Sequence, residues 1–171
     1  MPSLPTDTRR LRRLALTAGL AASALFAGGC AGLPESGSTA LVVSVPHVER
    51  LDVSSCKGRP ADINRVLYAR AESFAQMIDR GSVWYGEGLS MEPLLEPGSW
   101  IVTRPQPYDQ LQPGMVVLYT PSSGRPVAHA LIRRTPEGWL AAGVNNRGVD
   151  REFVTSTNLA GVIAAAFTPA N

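Results

Sequence analysis

One serine of this chain lies where the backbone is suited to a sharp turn. Ser90 stands shortly after Gly88 and shortly before Pro93. Glycine permits backbone angles that other residues avoid and proline fixes its own, so the pair favours a tight turn around the hydroxyl. Such a hydroxyl, close to backbone amides, can attack a carbonyl carbon while the amides stabilise the oxyanion. The same residues also fit a serine that only caps a turn.

Few side chains can take a proton from that hydroxyl near neutral pH. The sequence has two histidines, His47 and His129, and a single lysine, Lys57. His129 lies in an apolar segment with the pattern of a strand, where a neutral imidazole can serve as general base. A lone histidine on a strand is also often structural, so both interpretations of His129 stay open at this point. His47 follows Pro46 in a linker-like stretch, and we interpret it as a solvated side chain.

The sequence indicates neither a metal site nor a cofactor. Its two histidines are far apart, and its two cysteines, Cys30 and Cys56, have no neighbouring ligands. Protein zinc sites take three or four His, Cys, Asp or Glu ligands at characteristic spacings. Residues 54–57 match the Ser-x-x-Lys motif of penicillin-binding proteins, but those enzymes also need a Lys-Thr-Gly strand, which a chain with one lysine cannot supply.

The N-terminal residues have the three parts of an export signal. A basic stretch, residues 9–13, precedes an apolar run over residues 14–27 and two glycines before Cys30. The run is too short to cross a bilayer, which takes about 20 residues. A cysteine after small residues is the acceptor in lipoprotein processing, so we predict a lipoprotein signal peptide over residues 1–29 and lipid on Cys30. The alternative is an ordinary cleaved signal followed by an incidental cysteine.

This signal places the mature chain outside the cytoplasm, anchored to a membrane by acyl chains and facing the periplasm. In a cell with two membranes, Ala31 after the cysteine favours the outer one. The formal net charge of +2 depends on the arginines of the signal segment. The rest of the chain is close to neutral, and we therefore expect no nucleic-acid partner.

Before residue 60 the mature chain has the composition of a linker. Residues 31–39 are rich in Gly, Ser and Pro, which suits a flexible connection. Residues 40–48 are apolar around Pro46 and fit an edge strand or an extended packing segment. We assign residues 30–59 as a lipid-anchored tether, in which Cys56 has no partner for a disulfide.

One helix and a series of strands are predicted beyond the tether. Apolar residues recur at helical spacing from residue 61 to residue 80, followed by Gly81, which predicts a helix over 60–80 with one buried face. Short apolar runs between turn residues predict six strands in the remaining segment, 81–171. They cover residues 83–85, 100–103, 115–119, 127–132, 139–142 and 159–167. The expected fold is mainly β, with one N-terminal amphipathic helix.

Five segments in order also resemble a known family. Residues 86–102, with Ser90, Met91 and Pro93, resemble the nucleophile box of type I signal peptidases and of the related self-cleaving repressors. The matches downstream are looser and occupy residues 114–119, 127–132, 143–151 and 161–163.

The resemblance implies a role for each candidate residue. Ser90 would be the nucleophile, and Gly88, Met91 and Pro93 would shape its turn and oxyanion site. His129 lies where bacterial members carry the catalytic lysine and where endoplasmic-reticulum members carry histidine. Lys57 precedes the serine, whereas the family's lysine follows it, so a Ser-Lys dyad is not expected.

Asp150 matches the acid that completes a Ser-His-Asp arrangement in the endoplasmic-reticulum subgroup. Its carboxylate would hold the imidazole tautomer and stabilise the imidazolium. A loop carboxylate paired with Arg147 or Arg151 is the competing interpretation. Val144 stands where the family has another Asp.

The resemblance therefore implies a coiled β-sheet domain that cleaves polypeptides as a Ser-His serine peptidase, at sites flanked by small side chains. The acyl chains on Cys30 would replace the family's transmembrane helix as the membrane anchor. The alternative is a catalytically inactive relative that serves as a lipid-anchored binding module. Aspartates of the family pattern are absent at Ser99, Met115 and Val144, which favours the alternative, whereas the retention of the serine, the histidine and the Asp-Arg pair favours the enzyme.

Overall fold

A computed structural model describes residues 41–52 and 60–170. Cys30, Cys56, Lys57 and the predicted signal peptide lie outside these ranges. The elements are β1 (His47–Asp52), α1 (Pro60–Gln76), β2 (Ser82–Gly86), β3 (Ser99–Arg104), a short 3-10 helix (Tyr108–Gln110), β4 (Val116–Tyr119), β5 (Val127–Thr135), β6 (Gly138–Ala142) and β7 (Leu159–Ala170).

The described residues form one seven-stranded sheet with a single α-helix, which confirms the prediction of a mainly β fold with one N-terminal helix. All six predicted strands are present, with bounds that differ by at most three residues. Within the described part of the chain, no helix is long and apolar enough to cross a membrane.

The long strand β7 is the centre of the sheet. The strand order is β2-β3-β7-β4-β5-β6, and the pairs along it are antiparallel. One edge of β7 pairs with β3, while the other pairs with β4 near Leu159 and with β1, in parallel, from Ala165 to Ala170. The strand is buried from Gly161 to Thr168. A strand covered on both faces reads as a continuous apolar run, as this one does.

Helix α1 covers one face of this central region. Proline is favoured at the first helical position, and Asp62 in the first turn complements the helix dipole. The buried face of the helix is formed by Leu67, Ala71 and Ala75. It packs on the side chains that β3 and β7 direct to this face, namely Val102, Ala165 and Phe167.

The helix ends at Gln76, four residues before the predicted end, and the prediction was wrong there. Met77 and Ile78 donate to carbonyls three residues back, which closes the helix with tight turns. Arg80 then adopts a positive φ of 53°. Met77 is consequently 75% exposed, and Val66 is 39% exposed, although the apolar spacing had placed both on the buried face.

Residues 47–52 form strand β1 of the sheet, so this part of the predicted tether is folded against the domain. Ser44 bridges Met115 ahead of β4, and Val45 lies in the core. His47 is the first residue of β1, and its ring stacks on Phe74 with centroids 5.2 Å apart. The interpretation of His47 as a linker side chain was wrong, although its side chain remains 47% exposed.

The face of the sheet opposite α1 carries the turn that contains Ser90. Successive residues of a strand point to opposite faces, so Ile101 lies here while its neighbour Val102 faces the helix. Met91 and Leu95 pack on Ile101 in the same buried cluster. The serine turn is thus anchored on the sheet by apolar side chains on either side of Pro93.

Candidate active site

The Ser90 turn is a short hydrogen-bonded loop between β2 and β3. Glu92 donates its backbone N–H to the carbonyl of Leu89, and Leu94 and Leu95 both donate to the carbonyl of Met91. Met91 is 4% exposed and fixes the turn to the core. Ser90 itself is half-buried, so its hydroxyl is held by a rigid turn and is still accessible.

Ser90, His129 and Asp150 form one continuous chain of hydrogen bonds. The Oγ of Ser90 lies 3.0 Å from Nε2 of His129. The other ring nitrogen, Nδ1, lies 2.7 Å from Oδ2 of Asp150. His129 is 6% exposed on β5, and the side chain of Asp150 is 14% exposed in the loop after β6. Three separate segments therefore bring together the three residues that the resemblance singled out.

The geometry of this chain assigns the protons. A carboxylate can only accept hydrogen bonds, so Nδ1 of His129 carries the proton that faces Asp150. In the neutral ring Nε2 is then the acceptor and faces the Ser90 hydroxyl. This is the arrangement a general base needs to take the serine proton.

The carboxylate of Asp150 binds a tyrosine in place of an arginine. The hydroxyl of Tyr119 donates to Oδ2 at 2.7 Å, the same oxygen that accepts from His129. Arg147 and Arg151 are exposed, and neither forms an ion pair with Asp150 among the described residues. The competing interpretation of Asp150 as a loop carboxylate paired with an arginine is thus not what the structure shows.

Burial raises the pKa of Tyr119 well above its usual range, and the hydrogen bond to Asp150 adds to the rise. Its hydroxyl therefore stays protonated and acts as a donor toward Asp150. Glu152 contributes a further negative charge near Tyr119. Hydrogen bonds from Ser122 lower the pKa of Glu152 and so favour its charged form.

The loop after β6 also contacts Ser90. Asn145 donates its backbone N–H to the carbonyl of Ser90 at 2.8 Å, and its side chain donates to the carbonyl of Leu89. A Cβ at Gly143 would lie 2.5 Å from that Ser90 carbonyl oxygen and 2.8 Å from the Ser90 Cβ. Only glycine fits there without a shift of the serine turn.

Gly88 has a role that differs from the sequence prediction, and Pro93 lies within the serine turn, where its peptide bond with Glu92 is cis. Gly88 has no left-handed φ, and a Cβ there would approach only the Ser90 Oγ, at an ordinary 3.8 Å, so the turn does not require glycine at this position. Pro93 is exposed, and its carbonyl accepts a 2.8 Å bond from Arg50 of β1. Arg50 also lies 3.7 Å from Glu96, so β1 contacts the part of the loop that follows Ser90.

Two of the departures from the family pattern have a visible local setting. Ser99, which replaces an aspartate, is 1% exposed, and its hydroxyl is hydrogen-bonded to the carbonyl of Glu96 and to the hydroxyl of Thr168 on β7. Val144, which replaces another, is 42% exposed on the loop after β6. The carboxylate beside His129 comes from Asp150 alone.

A cleft of about 290 Å³ opens beside Ser90. It runs between the end of β2, residues 84–86, and the start of β5, residues 126–128. Apolar side chains form much of its wall, among them Met91, Leu95, Ile101 and Leu118. The serine hydroxyl lies at this cleft and can meet a bound molecule.

The strands on both sides of the cleft have unpaired edges. Strand β2 pairs with β3 along one side, and no described strand pairs with its other side. Strand β5 pairs with β6 only from Ala130 onward, so residues 127–129 pair with β4 alone. Free strand edges can add an extended peptide through main-chain hydrogen bonds.

Sequence reasoning missed several residues of the site. Tyr119 was included only as the last residue of an apolar strand, and Gly143 and Asn145 only as part of a loop motif. Arg50 was placed in the tether. Their contacts join segments distant in the sequence, and no local pattern indicates such contacts.

No metal site can be assembled from the residues that the structure describes, since they contain no group of three or more potential His, Cys, Asp or Glu ligands. No protein-family model matches the chain, and a comparison with curated proteins gives no match. The geometry of Ser90, His129 and Asp150 is therefore the observation on which a functional assignment depends.

Proposed function

We propose that this protein is an extracytoplasmic, lipid-anchored serine peptidase of the signal-peptidase type, which uses Ser90, His129 and Asp150. The observation that carries the proposal is the unbroken hydrogen-bond chain from Ser90 Oγ through His129 to Asp150, with the hydroxyl end at an open cleft. Nucleophile, base and orienting carboxylate in this geometry are the elements of covalent acyl transfer.

In the first half of the reaction, Ser90 Oγ attacks the carbonyl carbon of the scissile peptide bond while Nε2 of His129 takes the hydroxyl proton. Asp150 stabilises the imidazolium that forms, and backbone amides of the serine turn would stabilise the oxyanion. The C–N bond then breaks, and the departing amine takes the proton from Nε2. The product is an ester of Ser90 with the N-terminal part of the substrate.

In the second half, water attacks the ester carbonyl and gives its proton to Nε2 of His129. The bond to Ser90 Oγ breaks, and the serine recovers a proton from the imidazolium. The carboxylic acid product leaves and the starting state is restored. Each half uses the same histidine first as base and then as acid.

The cleft supports a polypeptide substrate in extended form. A strand that enters between β2 and β5 can pair with the unpaired edges at residues 84–86 and 127–129. Alternate side chains would then point toward the apolar wall around Met91 and Ile101. The resemblance to signal peptidases adds the expectation of small side chains near the scissile bond.

The decisive experiment incubates detergent-extracted full-length protein with a mixture of exported polypeptides and reads new termini by mass spectrometry. A fluorophosphonate probe for activated serines is applied in parallel. The parent and Ser73→Ala, a control serine on the exposed surface of α1, should cleave and be labelled at Ser90. Ser90→Ala should do neither. A folded parent that gives no product and no label would instead be the inactive binding module.

The membrane anchor is a separate part of the proposal. The signal segment and Cys30 lie outside the described residues, so the sequence pattern alone supports it. Intact mass of the membrane-extracted protein should show a mature chain that begins at Cys30 and carries acyl chains. A mature N-terminus elsewhere, or an unmodified Cys30, would exclude the anchor and leave the catalytic assignment untouched.

A further inference from the structure

The carboxylate of Asp150 has two donors on one oxygen. His129 Nδ1 and the Tyr119 hydroxyl each lie 2.7 Å from Oδ2. The backbone N–H of Asp150 donates to the carbonyl of Ala141, which fixes the residue against β6. Beyond this, the two hydrogen bonds on Oδ2 decide where the carboxylate points.

We infer that Tyr119 is a positioning residue of the proposed active site, which holds the Asp150 carboxylate in the orientation that binds His129. This inference rests on the proposed function. Tyr119 does not touch the reacting atoms, because Asp150 and His129 stand between its hydroxyl and Ser90.

Tyr119 is suited to this role because the sheet fixes it. It is the last residue of β4, 2% exposed, and it pairs with Val127 of β5 and with Leu159 of β7. A phenol with two strands as neighbours has little freedom to move. Asp150, by contrast, is in a loop with no strand assignment.

The charges around the hydroxyl keep it a donor. Asp150 and Glu152 are the acidic groups that act on Tyr119, and His129 is the titratable group across the carboxylate. Glu152 accepts hydrogen bonds from the backbone N–H and the hydroxyl of Ser122, and it does not compete with Asp150 for the Tyr119 hydroxyl. The direction of the bond is therefore from Tyr119 to Asp150.

Tyr119→Phe tests the assignment, because it removes the hydroxyl and keeps the ring in the core. Tyr108→Phe is the matched control. Its hydroxyl also makes a partly buried hydrogen bond, to the carbonyl of Val154, and its ring packs on the same core cluster. A general loss of stability should therefore appear in both variants, whereas a loss of carboxylate position should appear in Tyr119→Phe alone.

Two readouts are measured on full-length protein. The first is the pH profile of kcat for peptide cleavage, beside Asp150→Asn. The second is the low-field proton NMR signal of the His129 Nδ1–H, which exists whether or not the protein is an enzyme. In Tyr119→Phe, kcat should fall about tenfold to a hundredfold at unchanged KM, the range for a lost hydrogen bond to a charged group. The acid limb of its profile, the range in which kcat falls as the pH falls, should move toward that of Asp150→Asn. The NMR signal of the His129 Nδ1–H should broaden.

An unchanged acid limb and a sharp NMR signal in Tyr119→Phe would overturn the inference, and so would equal losses in Tyr108→Phe. An acid limb that moves to higher pH would also overturn the inference. The effect of Tyr119 would then be to weaken the negative charge of the Asp150 carboxylate, and not to fix its orientation. If the parent cleaves nothing, the proposed function fails, and the NMR signal still decides whether Tyr119 holds Asp150 against His129.

Discussion

The backbone N–H of Asn145 donates to the carbonyl oxygen of Ser90 over 2.8 Å, so the loop after β6 is hydrogen-bonded directly to the peptide group of Ser90. The same loop ends at Asp150, which binds His129. One segment of eight residues therefore touches both ends of the hydrogen-bond chain. Its conformation sets the distance between Ser90 and Asp150, and substitutions in it should reduce the proposed activity more than they reduce stability.

Gly143→Ala should reduce activity strongly. The added Cβ would lie 2.5 Å from the Ser90 carbonyl oxygen and 2.8 Å from its Cβ, so the serine turn must shift. Loss of alignment of this kind costs on the order of a hundredfold in kcat. Gly148→Ala is the matched control in the same loop, since nothing lies within 4 Å of its added Cβ. Peptide cleavage by the two variants decides the point, and equal activities would show that the loop does not position Ser90.

The rate of cleavage should fall in acid, because a protonated imidazole cannot accept the Ser90 proton. His129→Ala should lose about as much activity as Ser90→Ala, since residues that act as one unit do not contribute additively. Asp150→Asn should slow the reaction by roughly a hundredfold or more and move the acid limb to lower pH, because an amide stabilises an imidazolium less than a carboxylate does.

The measurement is turnover from pH 4 to pH 9 for the parent and the three variants, with Ser73→Ala as control. An active His129→Ala enzyme with the parent's acid limb would show that the base is another residue. An Asp150→Asn enzyme identical to the parent would remove Asp150 from the mechanism and leave a Ser-His dyad.

Lys57→Ala should leave hydrolysis within a few fold of the parent. Lys57 lies outside the described residues, and the position next to Ser90 Oγ that a base would occupy is filled by His129. Removal of a proton-transfer group costs about a hundredfold or more. A loss on that scale in Lys57→Ala would overturn the assignment of His129 as the base.

The fold could largely be predicted from the sequence because its signals are local. Alternating apolar residues and turn residues such as Pro97-Gly98 specify strands and their ends, and Gly98 does adopt the positive φ of 86° that this turn requires. The end of α1 was misjudged because apolar spacing continues through Met77, while tight turns and Arg80 end the helix. The spacing of apolar residues does not show where the backbone hydrogen bonds change from the α-helical pattern to tighter turns.

The candidate site was predictable only in part, for a related reason. Ser90, His129 and Asp150 belong to motifs with a recognisable order. Tyr119 lies in a strand whose pattern predicts only an apolar residue at this position. Its hydroxyl has a role in the site because it donates a hydrogen bond to Asp150. A contact between residues 31 positions apart leaves no periodic signal.

The raised pKa of Tyr119 predicts a specific loss of stability at alkaline pH. Below about pH 10 the phenol is protonated in both the folded and the unfolded chain, so it contributes no pH dependence. Above that value the unfolded chain releases the proton and the folded chain keeps it, so the free energy of unfolding should fall by roughly 1.4 kcal/mol per pH unit. Tyr119→Phe lacks this group, and its free energy of unfolding should fall less steeply as the pH rises.

Urea unfolding at pH 8 to 11 measures the free energy of unfolding of both proteins. The difference in stability between parent and variant should stay constant up to about pH 9 and shrink above pH 10. Parallel curves through pH 11 would mean that the buried phenol ionises in the folded protein as readily as in the unfolded chain, which its burial and its hydrogen bond to Asp150 oppose.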